Sequence, residues 1–439
     1  MEALVMAGQL ILGLTILVGI HELGHMLTAK WFGMRVEKFA IGFPPKVAGK
    51  KIGETEYMIG LIPLGGFVKI TGMVDESLDT EALSEEPKPY EFRAKPAWQR
   101  LIVMMGGIIL NVLLGILIFI FLTYSYGESY LPASEARYGI VANELGQQMG
   151  FQTGDKIVAV NGEPIEEFYH IYDPEVLVGR NSYYTVDRNG QTIDIRVPLD
   201  MLDRMQGKRG EQQRPFVEEA WPFEVGEVVS GRPASRAGLQ EGDVIKEVGG
   251  QEIQFFHELR GALQEHAGQI TSLTVHRGAE TQTLTVAVEE DGTIGFQPKS
   301  LLTYSTREYS LAEAIPIGTS QAFGFLSTTL KGIAKIFRGE VSASKSLSGP
   351  IGIAQVFGGT FNWYKFWSLV GMLSMWLAFF NFLPIPALDG GHVAFLTYEM
   401  VSGQKPSDNF LETAQKAGMV VLLTLMAFVI FNDVFKLFN

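Results

Sequence analysis

Two histidines and a glutamate stand at positions 21, 22 and 25 of the otherwise apolar run ILVGIHELGHMLTAK. The spacing is His-Glu-x-x-His. On a helix, His21 and His25 lie one turn apart and face the same way. Both imidazoles can then hold one zinc ion, with Glu22 beside it as general base. Zinc lowers the pKa of a bound water to about 7. Glu22 is expected to take the proton of that water as it attacks a carbonyl, then hand it to the leaving amine. The run is long enough to sit in a membrane, where one ionisable side chain at the bilayer centre costs at least ~2.5–3.5 kcal/mol. A bound cation offsets that cost.

A catalytic zinc takes three protein ligands and keeps one position open. The third is sought in NFLPIPALDGG, residues 381–391. Pro384 and Pro386 interrupt a helix there because neither has a backbone N–H. Asp389 follows them and is read as the third ligand, its neighbours Gly390 and Gly391 leaving the backbone free to adjust; His392 is the competing one. At a rise of ~1.5 Å per residue, His21 and Asp389 reach the same depth along their spans. Asn381 is read two ways: as a donor or acceptor to a substrate backbone, or as a helix–helix hydrogen bond.

The elements that must position these residues are legible in the hydropathy. Four apolar segments reach membrane length: Leu4–Ile20, Leu101–Tyr124, Phe366–Leu383 continuing to Leu388, and Ala417–Phe431. The first is read as a retained span, since no basic residue precedes it and no small-residue cleavage site follows before His21. Lysine and arginine crowd the loop after it, from Lys30 to Arg100, which is therefore expected on the cytoplasmic side. Four spans then place both termini and the central block on the other side.

That central block is acidic. Gly127 to Ser300 holds 28 Asp+Glu against 15 Lys+Arg, which accounts for the whole net charge of −13, and nothing in it resembles a nucleic-acid surface. There is no cysteine, which excludes disulfides, thiolate metal sites and cysteine nucleophiles. The block contains a repeat: GFQTGDKIVAVNGEPI (150–165) and GLQEGDVIKEVGGQEI (238–253) agree at eight of sixteen positions, and TVDR (185–188) answers TVHR (274–277). Each copy reads as a small β-rich unit, the second with a helix over 257–265. In the first loop, EYMIGLIPLGGFVKITGM (56–73) reads as a β-hairpin turning at its glycine pair and dipping into the membrane against protein. Residues 311–337 read as an amphipathic interfacial helix, with Lys331, Lys335 and Arg338 on its polar side.

The resulting fold class is a polytopic α-helical membrane protein with two β-rich domains between spans 2 and 3 and a membrane-associated hairpin after span 1. The expected boundaries are 1–33 (first span), 34–97 (cytoplasmic loop), 98–125 (second span), 127–220 and 221–306 (the two repeats), 307–362 (amphipathic linker helices), 363–392 (third span), 393–414 (cytoplasmic loop) and 415–437 (fourth span).

With these motifs assembled, the chain resembles the bacterial site-2 proteases, and among them the type that regulates sigma-E. HELGH, IGFPPK, LIPLGGFVKI, the tandem repeats, SGPIGIA (348–354) and NFLPIPALDGGH occur in that family's order. GRPASRAGLQEGDVIKEVGGQEI resembles a PDZ domain, a fold that binds peptides by strand addition. The resemblance implies an intramembrane zinc endopeptidase of the inner membrane, its active site near the cytoplasmic side. It implies one zinc per chain on His21, His25 and Asp389, with Glu22 as catalytic base. It implies substrate contacts at Asn381, Pro384, Pro386, Leu64, Gly65, Gly66 and Phe67. The substrates implied are single-pass membrane proteins: an anti-sigma factor already trimmed on its periplasmic side, and remnant signal peptides. The PDZ pair would contact the substrate's periplasmic segment as a size filter, lipid surrounds the spans, and no nucleic acid is involved. Two other readings stay open at this stage. One is a scaffold with a closed structural zinc, signed by His392 as a fourth ligand. The other is an ion transporter, which needs polar residues spread through several spans, whereas Leu101–Leu122 holds only Asn111 and the fourth span only Thr424 before Asn432.

Overall fold

The computed structural model describes residues 2–73, 86–205, 215–338 and 349–438. It divides into two units, one made of Met1–Gly127 with Glu308–Asn439, the other of Glu128–Arg307.

The first unit opens with helix α1 (Glu2–Trp31), which carries the His-Glu-x-x-His motif near its C-terminal end. Strands β1 (Val36–Ile52) and β2 (Thr55–Ile70) follow as an antiparallel pair, and helix α2 spans Ala97–Tyr126. Helix α1 meets α2 at two glycines. A Cβ on Gly24 would lie 2.2 Å from the Gly106 carbonyl oxygen, so only hydrogen at these positions lets the backbones come this close.

The hairpin differs from its expected form. Residues 56–70 do not pair with themselves: Glu56–Ile59 and Gly66–Lys69 both pair with Lys38–Ile41 of β1, in opposite directions along it, and the tight turn is at Gly53, between Ile52 and Thr55. The Gly65–Gly66 pair is not a turn. Its glycines are there for close approach: a Cβ on Gly66 would come within 2.6 Å of the Ala40 oxygen and 2.8 Å of a Val18 methyl. Lys46–Ile52 pairs with Thr55–Gly60, while Val36–Ile41 pairs with Gly66–Ile70.

Beyond the second unit, α3 (Leu311–Phe337) packs along α2 and the later helix α5, with Gly318 against the Ile120 backbone and Ala322 fully buried. Of SGPIGIA, Ser348 lies outside the described residues, and the rest enters α4 (Pro350–Phe357). Helix α5 covers Trp363–Phe382, α6 Asp389–Ser402 and α7 Asp408–Phe438. The Asp433 carboxylate of α7 accepts N–H bonds from Gly349, Ile351 and Gly352 at 2.8–3.0 Å, satisfying the free donors at the start of α4. The expected third span, 363–392, is thus two helices with a break between them. The expected loop 393–414 is largely helical.

Among the described residues, three helices are long and apolar enough to cross a membrane: Glu2–Trp31, Ala97–Tyr126 and Asn409–Phe435. Helix α5 is not one of them. Trp363, Tyr364, Lys365, Trp367 and Asn381 dilute its apolar content, although it is firmly packed, with Val370 and Ser374 wholly buried.

In the second unit the repeat is structural. Each copy has a four-stranded sheet of the same order. In the first copy this runs Glu163–Pro164, Lys156–Val160, Tyr183–Arg188, Gln191–Arg196; in the second, Gln251–Glu252, Val244–Val248, Ile270–Arg277, Glu280–Ala287. Each also has a two-stranded sheet, Ile140–Ala142 with Val217–Glu219 and Phe223–Val228 with Phe296–Ser300. The recurrence of the Gly-Asp and Thr-Val-x-Arg pieces in both copies has one cause, although their separation differs by one residue, 33 in the first and 34 in the second. Arg188 grips Asp155 through Nε and Nη2, both at 2.7 Å, and Arg277 grips Asp243 at 2.8 and 2.7 Å. Each arginine also donates to the glycine carbonyl that opens its repeat, Gly150 or Gly238, at 2.8 Å.

Candidate metal centre

Helix α1 delivers His21 and His25 on one face, both 7 % exposed. Their Nε2 atoms lie 3.3 Å apart and their rings meet edge to face. Each ring is held from behind by α2. His25 Nδ1 donates to the Val103 carbonyl at 2.8 Å, and His21 Nδ1 lies 3.2 Å from the side-chain amide of Asn111. Between these two contacts Gly107 leaves room for the rings, since a Cβ there would come within 2.5 Å of His25 Nε2.

The third group arrives from the chain break. Helix α5 ends at Phe382, and the stretch through Pro384 and Pro386 turns back on itself, with Leu388 N–H bonded to the Ile385 oxygen at 3.0 Å. Ala387 has φ +81°, a left-handed conformation that costs a non-glycine residue on the order of 1–3 kcal/mol. Gly390 and Gly391 do not serve as loose joints, as their sequence suggests. Side chains there would meet the Leu383 oxygen at 2.2 Å and the Ile385 oxygen at 2.6 Å. They let the proline segment fold tightly over the start of α6. Asp389 is the first residue of that helix, where a carboxylate is also favoured by the helix dipole.

Asp389 Oδ2 sits 3.0 Å from His21 Nε2 and 3.2 Å from His25 Nε2. It is buried and has no hydrogen-bond donor. The reason lies in the imidazoles: with its Nδ1–H committed to the Val103 carbonyl, neutral His25 turns a lone pair, not a proton, toward the aspartate. With His21 also turning its Nε2 lone pair inward, three acceptor atoms stand 3.0–3.3 Å apart, a cluster that a cation among them would stabilise. Bonds of ~2.0–2.2 Å in a tetrahedral zinc site give ligand edges of about 3.3 Å, so the donor set fits zinc in type and spacing. Among the described residues this is the group of three that can hold a metal, and His392 is not part of it.

Glu22 lines the same cavity, of about 540 Å³, with Asn381, Gly66, Phe67 and His392. A Cβ on Gly66 would lie 3.3 Å from Glu22 Cγ, so the glutamate sits close against β2. Asn381 Nδ2 reaches His21 Nε2 at 3.2 Å. The sequence pattern of peptidase family M50 matches residues 9–425.

The chain belongs to peptidase family M50.

Its relatives include the regulator of sigma-E protease RseP of Salmonella typhimurium, 29 % identical over 454 residues that cover 97 % of this chain and 98 % of the relative. The Escherichia coli protein of the same name is 29 % identical over 461 residues with the same coverage. A Neisseria meningitidis protein provisionally named zinc metalloprotease is 29 % identical over 453 residues, again 97 % and 98 %. The resemblance to site-2 proteases therefore holds along the chain, and the protein is a membrane metalloprotease.

The fold of this protease brings His21, Glu22, His25, Asn381, Asp389, Gly66 and Phe67 around one cavity. It treats the remaining expected contacts differently. Pro384 is exposed and outside the cavity lining. Pro386 lines a neighbouring cavity of about 360 Å³ that shares Met73, Ala387, His392 and Gln415 with the first. Gly65 lies under the Phe43 ring, and Leu64 belongs to the same strand. Four neighbours escaped the sequence reading: Lys38 from β1, Met104 from α2, and Gln415 and Met419 from α7. Their only signal was position in a loop or at a span end. Asn111 had a clearer one, as the lone polar residue of Leu101–Leu122.

Proposed function

We propose that the protease is a zinc endopeptidase of the bacterial inner membrane that cuts single-pass membrane proteins within or beside their spans. The observation that carries this reading is the triangle of His21 Nε2, His25 Nε2 and Asp389 Oδ2, with Glu22 on the same cavity. His21, His25 and Asp389 hold one zinc, which when bound supplies Lewis acidity toward water and the scissile carbonyl. Glu22 takes a proton from the attacking water and passes it to the leaving nitrogen as the C–N bond breaks and the new C–O bond remains. Asn381 orients the peptide group beside His21. A three-residue ligand set without His392 leaves a position open, which favours catalysis over a closed structural metal.

A helical substrate hides its carbonyls in internal hydrogen bonds, and unpaired backbone in lipid costs several kcal/mol per group. Gly66–Ile70 pairs with β1 on one side and contributes its residues to the cavity on the other. An unwound substrate segment adds there as a further strand, next to Glu22. Four spans, α1, α2, α5 and α7, with both termini and the repeats periplasmic, put this site near the cytoplasmic face. The repeats act as PDZ domains that exclude bulky periplasmic segments. A pre-trimmed anti-sigma factor and remnant signal peptides are the substrates that suit this arrangement.

The test is cleavage of a tagged single-span anti-sigma-type substrate by purified protein in detergent, with zinc assayed in parallel. Glu22→Gln is expected to keep its zinc and lose cleavage by at least 10²-fold, and Asp389→Ala to lose both. A Glu22→Gln enzyme that still cuts at the wild-type rate would falsify the general-base assignment.

A further inference from the structure

Val103, Gly107 and Asn111 are spaced four apart on α2, so they form one stripe along that helix. The stripe lies against the backs of the two imidazoles: the Val103 carbonyl takes the His25 Nδ1–H, Gly107 makes room, and Asn111 meets His21 Nδ1. Asn111 is wholly buried, at 0 % exposure, in the middle of an apolar helix. Burying an amide there is costly unless it is hydrogen-bonded. Its main chain is anchored separately, by Ser374 Oγ donating to the Asn111 carbonyl at 2.8 Å. Its side chain touches His21, and its Oδ1 has no partner.

The chemistry of His21 decides how that amide must face. A neutral imidazole carries one proton. If Nε2 is to offer its lone pair beside Asp389, the proton belongs on Nδ1, and Nδ1–H needs an acceptor. With Nδ2 toward Nδ1, Asn111 offers a donor to the nitrogen that must itself donate, and the Asn381 Nδ2 already faces Nε2 at 3.2 Å, so neither ring nitrogen has an acceptor for the proton on these two sides. The oxygen and nitrogen of an amide are exchanged by a half-turn about its last torsion and are assigned by their hydrogen bonds. The half-turn puts the partnerless Oδ1 on Nδ1–H. It also gives His21 the same tautomer that the Val103 carbonyl enforces on His25.

We propose that Asn111 is a positioning residue that accepts the Nδ1–H of His21 and so keeps the Nε2 lone pair directed at the metal position. The proposal rests on the zinc reading above. It divides the labour between helices: α1 supplies both ligands, and α2 sets both tautomers, once with a backbone carbonyl and once with a side chain.

The test uses full-length protein in detergent, loaded with zinc and then challenged with a graded chelator. Asn111→Leu removes the acceptor at similar volume, and zinc affinity is expected to fall about 10–100-fold. Asn111→Asp restores an acceptor and is expected to hold zinc within a few-fold of wild type. Wild-type affinity in folded Asn111→Leu overturns the role. So does equal loss in Asn111→Leu and Asn111→Asp, which would mark a packing effect. In case Asn111→Leu does not fold, ¹⁵N-histidine spectra of zinc-loaded wild type decide the matter alone: His21 protonated at Nδ1 supports the role, and a bare Nδ1 overturns it. A wild type that binds no zinc fails the zinc reading itself and takes this role with it. A wild type that binds zinc indifferent to Asn111 fails only the positioning role.

Discussion

The two copies in the Glu128–Arg307 unit share a sheet order and a buried arginine–aspartate clasp, yet they differ in the segment between their second and third long strands. The second copy has a continuous helix, Phe256–Glu265, with Leu259, Ala262 and Leu263 buried against its sheet. In the first copy the equivalent chain is a short 3-10 turn, Phe168–Tyr172, followed by a five-residue helix, Pro174–Val178. The cause is Pro174. It forbids helical geometry at Asp173, whose backbone is extended at ψ 136°. The collapsed turn then lets Tyr172 donate its hydroxyl to the Val217 carbonyl, on the strand Val217–Glu219. The matching strand of the second copy, Phe296–Ser300, pairs on one side with Phe223–Val228 and has no second strand partner among the described residues. The lesson is that both copies share the clasp and the sheet order, while only the second packs a continuous helix on its sheet.

The clasp offers the largest expected effect. Arg188→Ala and Arg277→Ala each strand an aspartate whose side chain is 1 % exposed, so each is expected to destabilise its own copy strongly. Amide exchange in Tyr183–Arg196 and in Ile270–Ala287 of the full chain reads the two separately. Equal losses confirm that the clasp is the common framework, whereas a mild Arg188→Ala would mean the first copy is held by its aromatic core instead.

Acid gives a smaller effect on the second copy. Burial alone would raise the Asp243 pKa, but the Arg277 hydrogen bond, the Gln240 N–H and the arginine charge outweigh it and hold the carboxyl below its usual range. A carboxylate with a depressed folded pKa contributes stability that is complete above the unfolded value of about 3.9 and is lost as pH falls toward the folded one. Protection of Ile270–Ala287 is therefore expected to decline below about pH 4, and this decline should be weaker in Arg277→Ala. A pH-independent protection factor down to pH 2.5 would remove the clasp from the account of acid stability.

The smallest effect sharpens the difference between the copies. Tyr172→Phe deletes the hydroxyl that occupies the Val217 carbonyl and is expected to cost about 0.5–1.5 kcal/mol. It should leave the second copy unchanged. Faster exchange in Phe296–Ser300 would show that the copies are coupled more tightly than their separate cores suggest.

Much of the candidate metal centre was legible in the sequence. A four-residue spacing on a helix is a covalent fact, so His21 and His25 had to share a face once the apolar run was read as helical. Two prolines had to break the third apolar segment, and Asp389 had to follow the break. The repeat, too, was visible as text. Other readings needed the fold. The Gly65–Gly66 pair looked like a turn, but the tight turn is at Gly53 and Gly66 lies in a strand, because a glycine serves equally for a turn and for close approach and only the neighbours tell which. Gly390 and Gly391 were misread for the same reason.

Residue type, helical period and the positions of proline were enough for the sequence by itself to determine the His-Glu-x-x-His pair, the break that carries Asp389 and the duplicated sheet. The tertiary structure alone decided which face of α2 meets α1, because that rotation is set by the backbone contact of Gly24 with Gly106, a long-range packing event with no local signature. That one contact puts Val103 and Asn111 behind the histidines, and so turns an isolated asparagine into their neighbour.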